Sequence, residues 1–130
     1  MSAICWYPGQ WWGTYRQARS QEWLQEHRIE RVITCAIDGK ELEGIMENLG
    51  IDWFGMDWRS EMEYPSEPDW VRGMELLEDS FARGIRTLVH CRGRPIRSGR
   101  FISYFWQKWL GASPENISGW LQISFPEVYS

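Results

Sequence analysis

Cysteine is scarce in this chain. Its three occurrences, Cys5, Cys35 and Cys91, are odd in number and follow no metal-ligand spacing. That pattern argues against a disulfide framework or a zinc site, and for free thiols in a reducing compartment, cytoplasmic or nuclear. Long apolar runs are missing as well: no stretch approaches the ~20 residues that a membrane span needs, and mean hydropathy is −0.49. The opening Met1-Ser2-Ala3-Ile4-Cys5-Trp6 lacks a basic region followed by an apolar stretch, so no secretory signal is expected. Internal repeats are absent too. Ten tryptophans are scattered without a period, which reads as core and rim packing; for Trp11, Trp12 and Trp58 a pocket wall or partner surface is the alternative.

At 130 residues with 43% hydrophobic composition, residues 1–130 suit a single domain able to bury a core. Strand and helix signals alternate along it. Ser20 is placed to cap a short helix containing Trp23 and Leu24, within whose polar residues His27 reads as exposed. Ile29 to Ile37 reads as a strand carrying Val32, Ile33 and Cys35. Asp38 is expected to cap the next helix, whose Leu42, Ile45, Met46 and Leu49 recur at i, i+3, i+4 and i+7 before Gly50 closes it. Ile51 to Met56 reads as a strand with Asp57 at its exit, and Arg59 to Glu67 as a polar loop holding Pro65. A helix over Pro68 to Arg83 buries Trp70, Met74, Leu77 and Phe81, and Gly84 ends it. This order predicts an α/β fold: a central, mostly parallel sheet flanked by helices.

The run His90-Cys91-Arg92-Gly93-Arg94-Pro95-Ile96-Arg97-Ser98 carries the chemistry. Ile85 to His90 reads as a buried strand before it. Gly99 to Leu110 reads as a helix after it, with Ile102, Phe105, Trp106 and Trp109 on one face. A loop from a strand end to a helix N-terminus gathers backbone N–H groups into one concavity, which favours an oxyanion. The same field favours a thiolate, the nucleophilic form of cysteine. Arg97 offers a planar fork that grips two phosphate oxygens at once. Ser98 can donate to the sulfur and ease its departure from phosphorus. His90 reads as a group that orients the loop by hydrogen bonding. The competing reading is a buried cysteine that closes a core strand beside solvated arginines.

These residues resemble the signature of the cysteine-dependent protein phosphatases, most closely the small (atypical) dual-specificity phosphatases, which runs His-Cys-x-x-Gly-x-x-Arg-Ser/Thr. The likeness covers nearly the whole chain, from a glycine-containing start near Tyr7 to Gly13 to a last helix opening at Ser113-Pro114-Glu115-Asn116-Ile117. It implies a dual-specificity phosphatase-like fold and a phosphocysteine intermediate on Cys91. Arg97 and the backbone from Arg92 through Gly93, Arg94, Pro95 and Ile96 would hold the equatorial oxygens, and Ser98 would assist breakdown. The leaving oxygen needs a proton donor. In the family that acid follows an earlier strand, a place held here by Asp57, with Asp52 as the rival within the strand. No cofactor or metal is implied, because arginine, backbone dipoles and thiolate cover charge neutralisation and nucleophile activation.

Two departures stand out. The family's glycine three residues after the cysteine is Arg94 here, with Gly93 one place earlier, and Pro95 lacks an N–H. They keep a catalytically inactive phosphate-binding module as the alternative to a phosphatase. Residues 1–91 carry 9 basic and 16 acidic side chains, whereas residues 92–130 carry 5 and 2, with Arg92, Arg94, Arg97 and Arg100 crowded together. Such clustering raises the local concentration of anions. The expected partner is thus a phosphorylated protein or a polyanionic phosphomonoester, and phosphate or sulfate would also suit the loop. With a net charge of −4 and no extended basic stripe, nucleic acid is disfavoured, a 5′-phosphorylated RNA end excepted.

Overall fold

The structure, a computed structural model, describes residues 3–124. One sheet orders its five strands β1-β2-β5-β3-β4: β1 (Ile4–Tyr7), β2 (Gln10–Trp12), β3 (Arg31–Thr34), β4 (Asp52–Gly55) and β5 (Thr87–His90). Only β1 runs antiparallel to its neighbour; the β2–β5, β5–β3 and β3–β4 pairs are parallel. The mostly parallel sheet expected from the alternation is therefore present. Because β3 and β5 lie at its centre, their side chains are buried on both faces, as continuous β-branched runs require.

Alternation along the two central strands divides the core. Val32 and Leu88 pack with Ala18, Leu24, Leu42 and Met46, which belong to α1 (Tyr15–Ala18), α2 (Gln21–Glu26) and α3 (Leu42–Leu49). Ile33 and Val89 face the other way, against Met74, Leu77, Phe101 and Phe105 of α4 (Glu67–Arg83) and α5 (Ile96–Leu110). The second helix α6 of that end, Pro114–Ser124, adds Trp120 and Leu121 to the same cluster. Gly73 permits close approach of α4 there: a Cβ at that position would stand 2.5 Å from Met56 Cε and 3.0 Å from Phe101 Cε1.

Several boundaries differ from the sequence expectations. The first hairpin, β1–β2, gave no periodic signal because its strands are 4 and 3 residues long. β3 stops at Thr34, where its partners β4 and β5 also stop, at Gly55 and His90; no ladder remains to extend it to Ile37. The chain instead makes a 3-10 turn at Ile37–Gly39 with Ala36 as its N-cap. Asp38 lies inside that turn and caps nothing. β5 begins at Thr87, since the N–H groups of Ile85 and Arg86 are already taken by the Ser80 carbonyl and Glu30 carboxylate. α5 begins at Ile96 rather than Gly99, with Pro95 (φ −77°) at its N-cap, so Arg97 and Ser98 occupy its first turn. His27 is not exposed: it is half-buried, stacked on Trp23 at 4.1 Å, with Nδ1 2.8 Å from the Trp23 carbonyl.

Candidate active site

The parallel strands all deliver their carboxyl ends to one edge of the sheet, where open α/β folds place ligands. Cys91 leaves β5 there, 3% exposed. Its sulfur lies 3.2 Å from Ser98 Oγ in the first turn of α5 and 3.3 Å from the Arg94 carbonyl. A thiol has one proton to give, and a carbonyl can only accept it. Gly93 takes φ +81°, a conformation natural to glycine, and thereby bends the loop back over the sulfur.

The loop start is fixed by a chain of buried hydrogen bonds. His90 is fully buried; Nδ1 must donate to the Cys91 carbonyl at 2.9 Å, leaving Nε2 to accept from Thr34 Oγ1 at 2.8 Å. Thr34 in turn accepts the Trp53 indole N–H at 2.8 Å. Burial pushes His90 down to about 4, so at neutral pH the imidazole is uncharged and acts as a spacer of fixed polarity.

Arg97 is 8% exposed and bridges two segments. Its NH2 donates to the Arg92 carbonyl at 2.6 Å and its NH1 to the Trp58 carbonyl at 2.9 Å. Two of the five guanidinium donors are thus used to hold the loop and the chain after β4. Asp38 stands 3.6 Å from the same guanidinium. The arginines around it carry partners of their own. Arg92 pairs with Glu41 at 3.0 Å and lies over the Tyr15 ring at 4.2 Å. Arg94 pairs with Glu61 at 2.7 Å, and Arg100 donates to the Glu61 carbonyl.

The loop departures have visible consequences. Pro95 contributes no N–H, and the Ile96 N–H is spent on the Arg94 carbonyl at 2.8 Å. Among the described residues no backbone acceptor takes the N–H groups of Arg92, Gly93, Arg94 or Arg97. One element of the cradle is of the wrong sign, since the Arg94 carbonyl presents partial negative charge to the sulfur.

Asp57 follows β4 as expected, and its neighbour Trp58 touches the Arg97 clamp. Its carboxylate, however, accepts the Ser66 N–H at 2.9 Å, and its own N–H bonds Asp69 at 2.7 Å. These bonds, the Ser66 N–H foremost, hold Asp57 below the usual carboxylate range. It lines a cleft of about 230 Å³ with Ile37, Lys40 and Asp69, and Cys91 is not part of that lining. Asp52 is at the opposite end of β4, paired to Arg31 at 2.7 Å, so strand direction alone removes it from the cysteine.

The sequence carried no local sign that Asp38, Thr34 and Glu61 neighbour the site, nor that Trp12, a candidate for a pocket wall or partner surface, bonds Ser98. Asp38 was findable in principle, because residues following β3 must face those following β5 once the two strands are parallel neighbours. Trp12 and Trp58 are fully buried, so both belong to the core and not to a partner surface. Among the described residues, no cluster of three or more His, Cys, Asp or Glu is arranged to hold a metal ion, and no helix is long and apolar enough to cross a membrane.

The strand order β1-β2-β5-β3-β4 with its flanking helices is a phosphatase fold, and solved structures of phosphatases and a phosphatase-like protein share it. The human tyrosine phosphatase-like serine/threonine/tyrosine-interacting protein superposes with a TM-score of 0.70 at 18% identity, over 93% of this chain and 82% of that one. A glycine-to-alanine mutant of Tk-PTP gives 0.74 at 18%, over 99% and 86%. A candidate phosphatase of the DUF442 group from Shewanella putrefaciens CN-32 gives 0.66 at 14%, over 89% and 78%. No family model and no curated protein matches the sequence.

Proposed function

We propose that this chain hydrolyses phosphomonoesters through a cysteinyl-phosphate on Cys91. The observation that carries the reading is the convergence on one sulfur of a strand end, the Ser98 hydroxyl at 3.2 Å and a helix first turn that bears the buried Arg97. In the first step the thiolate attacks phosphorus, the S–P bond forms, the P–O bond to the leaving group breaks, and Asp57 gives that oxygen its proton. In the second, water attacks phosphorus and passes a proton to the Asp57 carboxylate. The S–P bond then breaks with its electron pair returning to sulfur, and phosphate leaves. For this Asp57 must turn from Ser66 toward the cradle when substrate binds. Such tightening between free and bound states is common.

The substrate class is a phosphorylated protein on Tyr, Ser or Thr, as in dual-specificity enzymes, or a polyanionic phosphorylated ligand. A second anionic group would have to displace Glu41 from Arg92 or Glu61 from Arg94. A free thiol nucleophile suits a reducing compartment, cytoplasmic or nuclear. Steady-state hydrolysis of a small aryl phosphate, with and without a chelator, tests the mechanism. Turnover is expected to survive the chelator and to vanish in Cys91→Ser, with phosphate affinity retained. Activity that persists in Cys91→Ser, or is lost with chelator, would sink it.

The second reading is a phosphate-binding interaction module without turnover. The Arg94 carbonyl facing Cys91, together with the donors lost at Pro95 and Ile96, favours it, and the name of the human neighbour, phosphatase-like and interacting, belongs to the same class. In the assay above it appears as phosphate binding with no hydrolysis in the wild type.

A further inference from the structure

Two of the ten tryptophans feed hydrogen bonds toward Cys91 from opposite sides. Trp53 does so through Thr34 and His90, at the carbonyl. Trp12 does so at the sulfur. Its ring is fully buried on β2, stacked at 5.0 Å on Trp120, and Nε1 lies 2.8 Å from Ser98 Oγ. Ser98 is itself fully buried, with Cys91 Sγ at 3.2 Å.

The chemistry of the three groups fixes the direction of the protons. An indole N–H donates and cannot accept, so Ser98 Oγ must accept from Trp12. The serine hydroxyl then has one hydrogen left, and the sulfur is the acceptor in reach. The thiol hydrogen has its own outlet in the Arg94 carbonyl at 3.3 Å, so it does not compete for Ser98 Oγ. Deleting the indole N–H would free the hydroxyl to rotate and to accept the thiol hydrogen instead, which favours the thiol over the thiolate.

We infer that Trp12 is a positioning residue that acts on Cys91 through Ser98, orienting the hydroxyl hydrogen onto the sulfur and so favouring the thiolate. The proposal rests on geometry and not on turnover. A failure of the phosphatase reading therefore leaves it standing or falling by its own test.

That test is the pH dependence of Cys91 alkylation by iodoacetamide, read peptide by peptide in the full chain so that Cys5 and Cys35 are scored apart. Trp12→Phe keeps an aromatic ring and removes the N–H. It is expected to slow alkylation of Cys91 by about tenfold at a pH below the wild-type midpoint, the order of one charge-assisted hydrogen bond, and to move the midpoint upward. Ser98→Ala should do at least as much, and adding Trp12→Phe to Ser98→Ala should change nothing further. An unchanged midpoint in Trp12→Phe would overturn the proposal, as would an equal extra shift in the Ser98→Ala background. Should Trp12→Phe fail to fold, the wild-type indole N–H resonance decides. It must titrate with the Cys91 midpoint and lose that response in Ser98→Ala, and an indole that ignores Cys91 ionisation refutes the relay.

Discussion

Arg97 shows how one side chain serves both the fold and the chemistry. Its fork ties the Arg92 carbonyl to the Trp58 carbonyl, so it joins the loop to the chain that carries Asp57, and in the proposed mechanism it also holds phosphate. Lysine has the charge but one nitrogen, and cannot span both carbonyls and an oxyanion. Arg97→Lys is expected to lower kcat/KM for an aryl phosphate by about 1.5–3 kcal/mol, or ten- to a hundred-fold, the worth of a charge-assisted bond. The fold should be kept, as circular dichroism would show. Near-wild-type kcat/KM would remove Arg97 from the clamp. Two of the neighbouring arginines have a carboxylate from another element, Glu41 for Arg92 and Glu61 for Arg94, while Arg100 donates to the Glu61 backbone carbonyl. The positive cluster of the sequence is thus partly neutralised in the structure.

At the scale of elements, the segment between β4 and α4 carries Asp57, the acid of the proposed mechanism. Ser66 caps α4, its hydroxyl accepting the Asp69 N–H at 3.4 Å, while its own N–H holds the Asp57 carboxylate. The segment is tied at its middle by the Trp58 indole N–H to the Glu63 carbonyl at 2.6 Å, and by Trp58 stacking on Tyr64. In the free enzyme the Ser66 N–H holds Asp57 below the ordinary carboxylate range, so it loses its proton early as pH rises, and the basic limb of the kcat/KM profile for an alkyl phosphate, which reports the free enzyme, should lie on the acid side of neutrality. Asp57→Asn should abolish that limb and slow alkyl phosphates far more than nitrophenyl phosphate, whose leaving group departs with little help. Equal losses on both substrates would take the role of acid from Asp57.

At the scale of the molecule, the site's geometry is paid for by burial of a histidine that must stay neutral. His90 sits near 4 against an ordinary value of 6.5 because burial penalises its cation. Between those values the unfolded chain binds a proton that the folded chain does not, so stability falls as pH drops from about 6.5 to about 4. The loss amounts to about 3 kcal/mol. Below that window a different group takes over: Asp79, held down to about 2 by Arg83 and Arg31, loses its contribution as the carboxylates protonate. Urea denaturation across pH 4 to 6.5 checks this. His90→Asn, whose amide can still donate to the Cys91 carbonyl, should flatten the dependence in that window, and an unchanged slope would show that another group sets it.

Much of this was legible in the sequence because local chemistry carries it. Apolar periodicity marked α3, α4 and α5, β-branched runs marked β3 and β5, and the spacing from Cys91 to Arg97 and Ser98 defined the cradle, since neighbours on one loop and one helix turn need no distant contact to meet. The short β1–β2 hairpin escaped because strands of 4 and 3 residues hold too few alternations to register, and with it escaped Trp12, whose partner Ser98 lies 86 positions away. The same holds for Asp38 beside Arg97 and Glu61 beside Arg94: exposed acidic residues carry no sequence mark of which cation they will meet. Whether the Arg94 carbonyl faces the sulfur is a matter of backbone torsion around Gly93 and Pro95, which composition limits but does not choose. The sequence by itself determined the strand–helix alternation and the loop that carries Cys91, Arg97 and Ser98. Only the parallel register of β3 with β5 and the entry of β2 beside them decided what surrounds Cys91, because those contacts join segments that the chain keeps far apart.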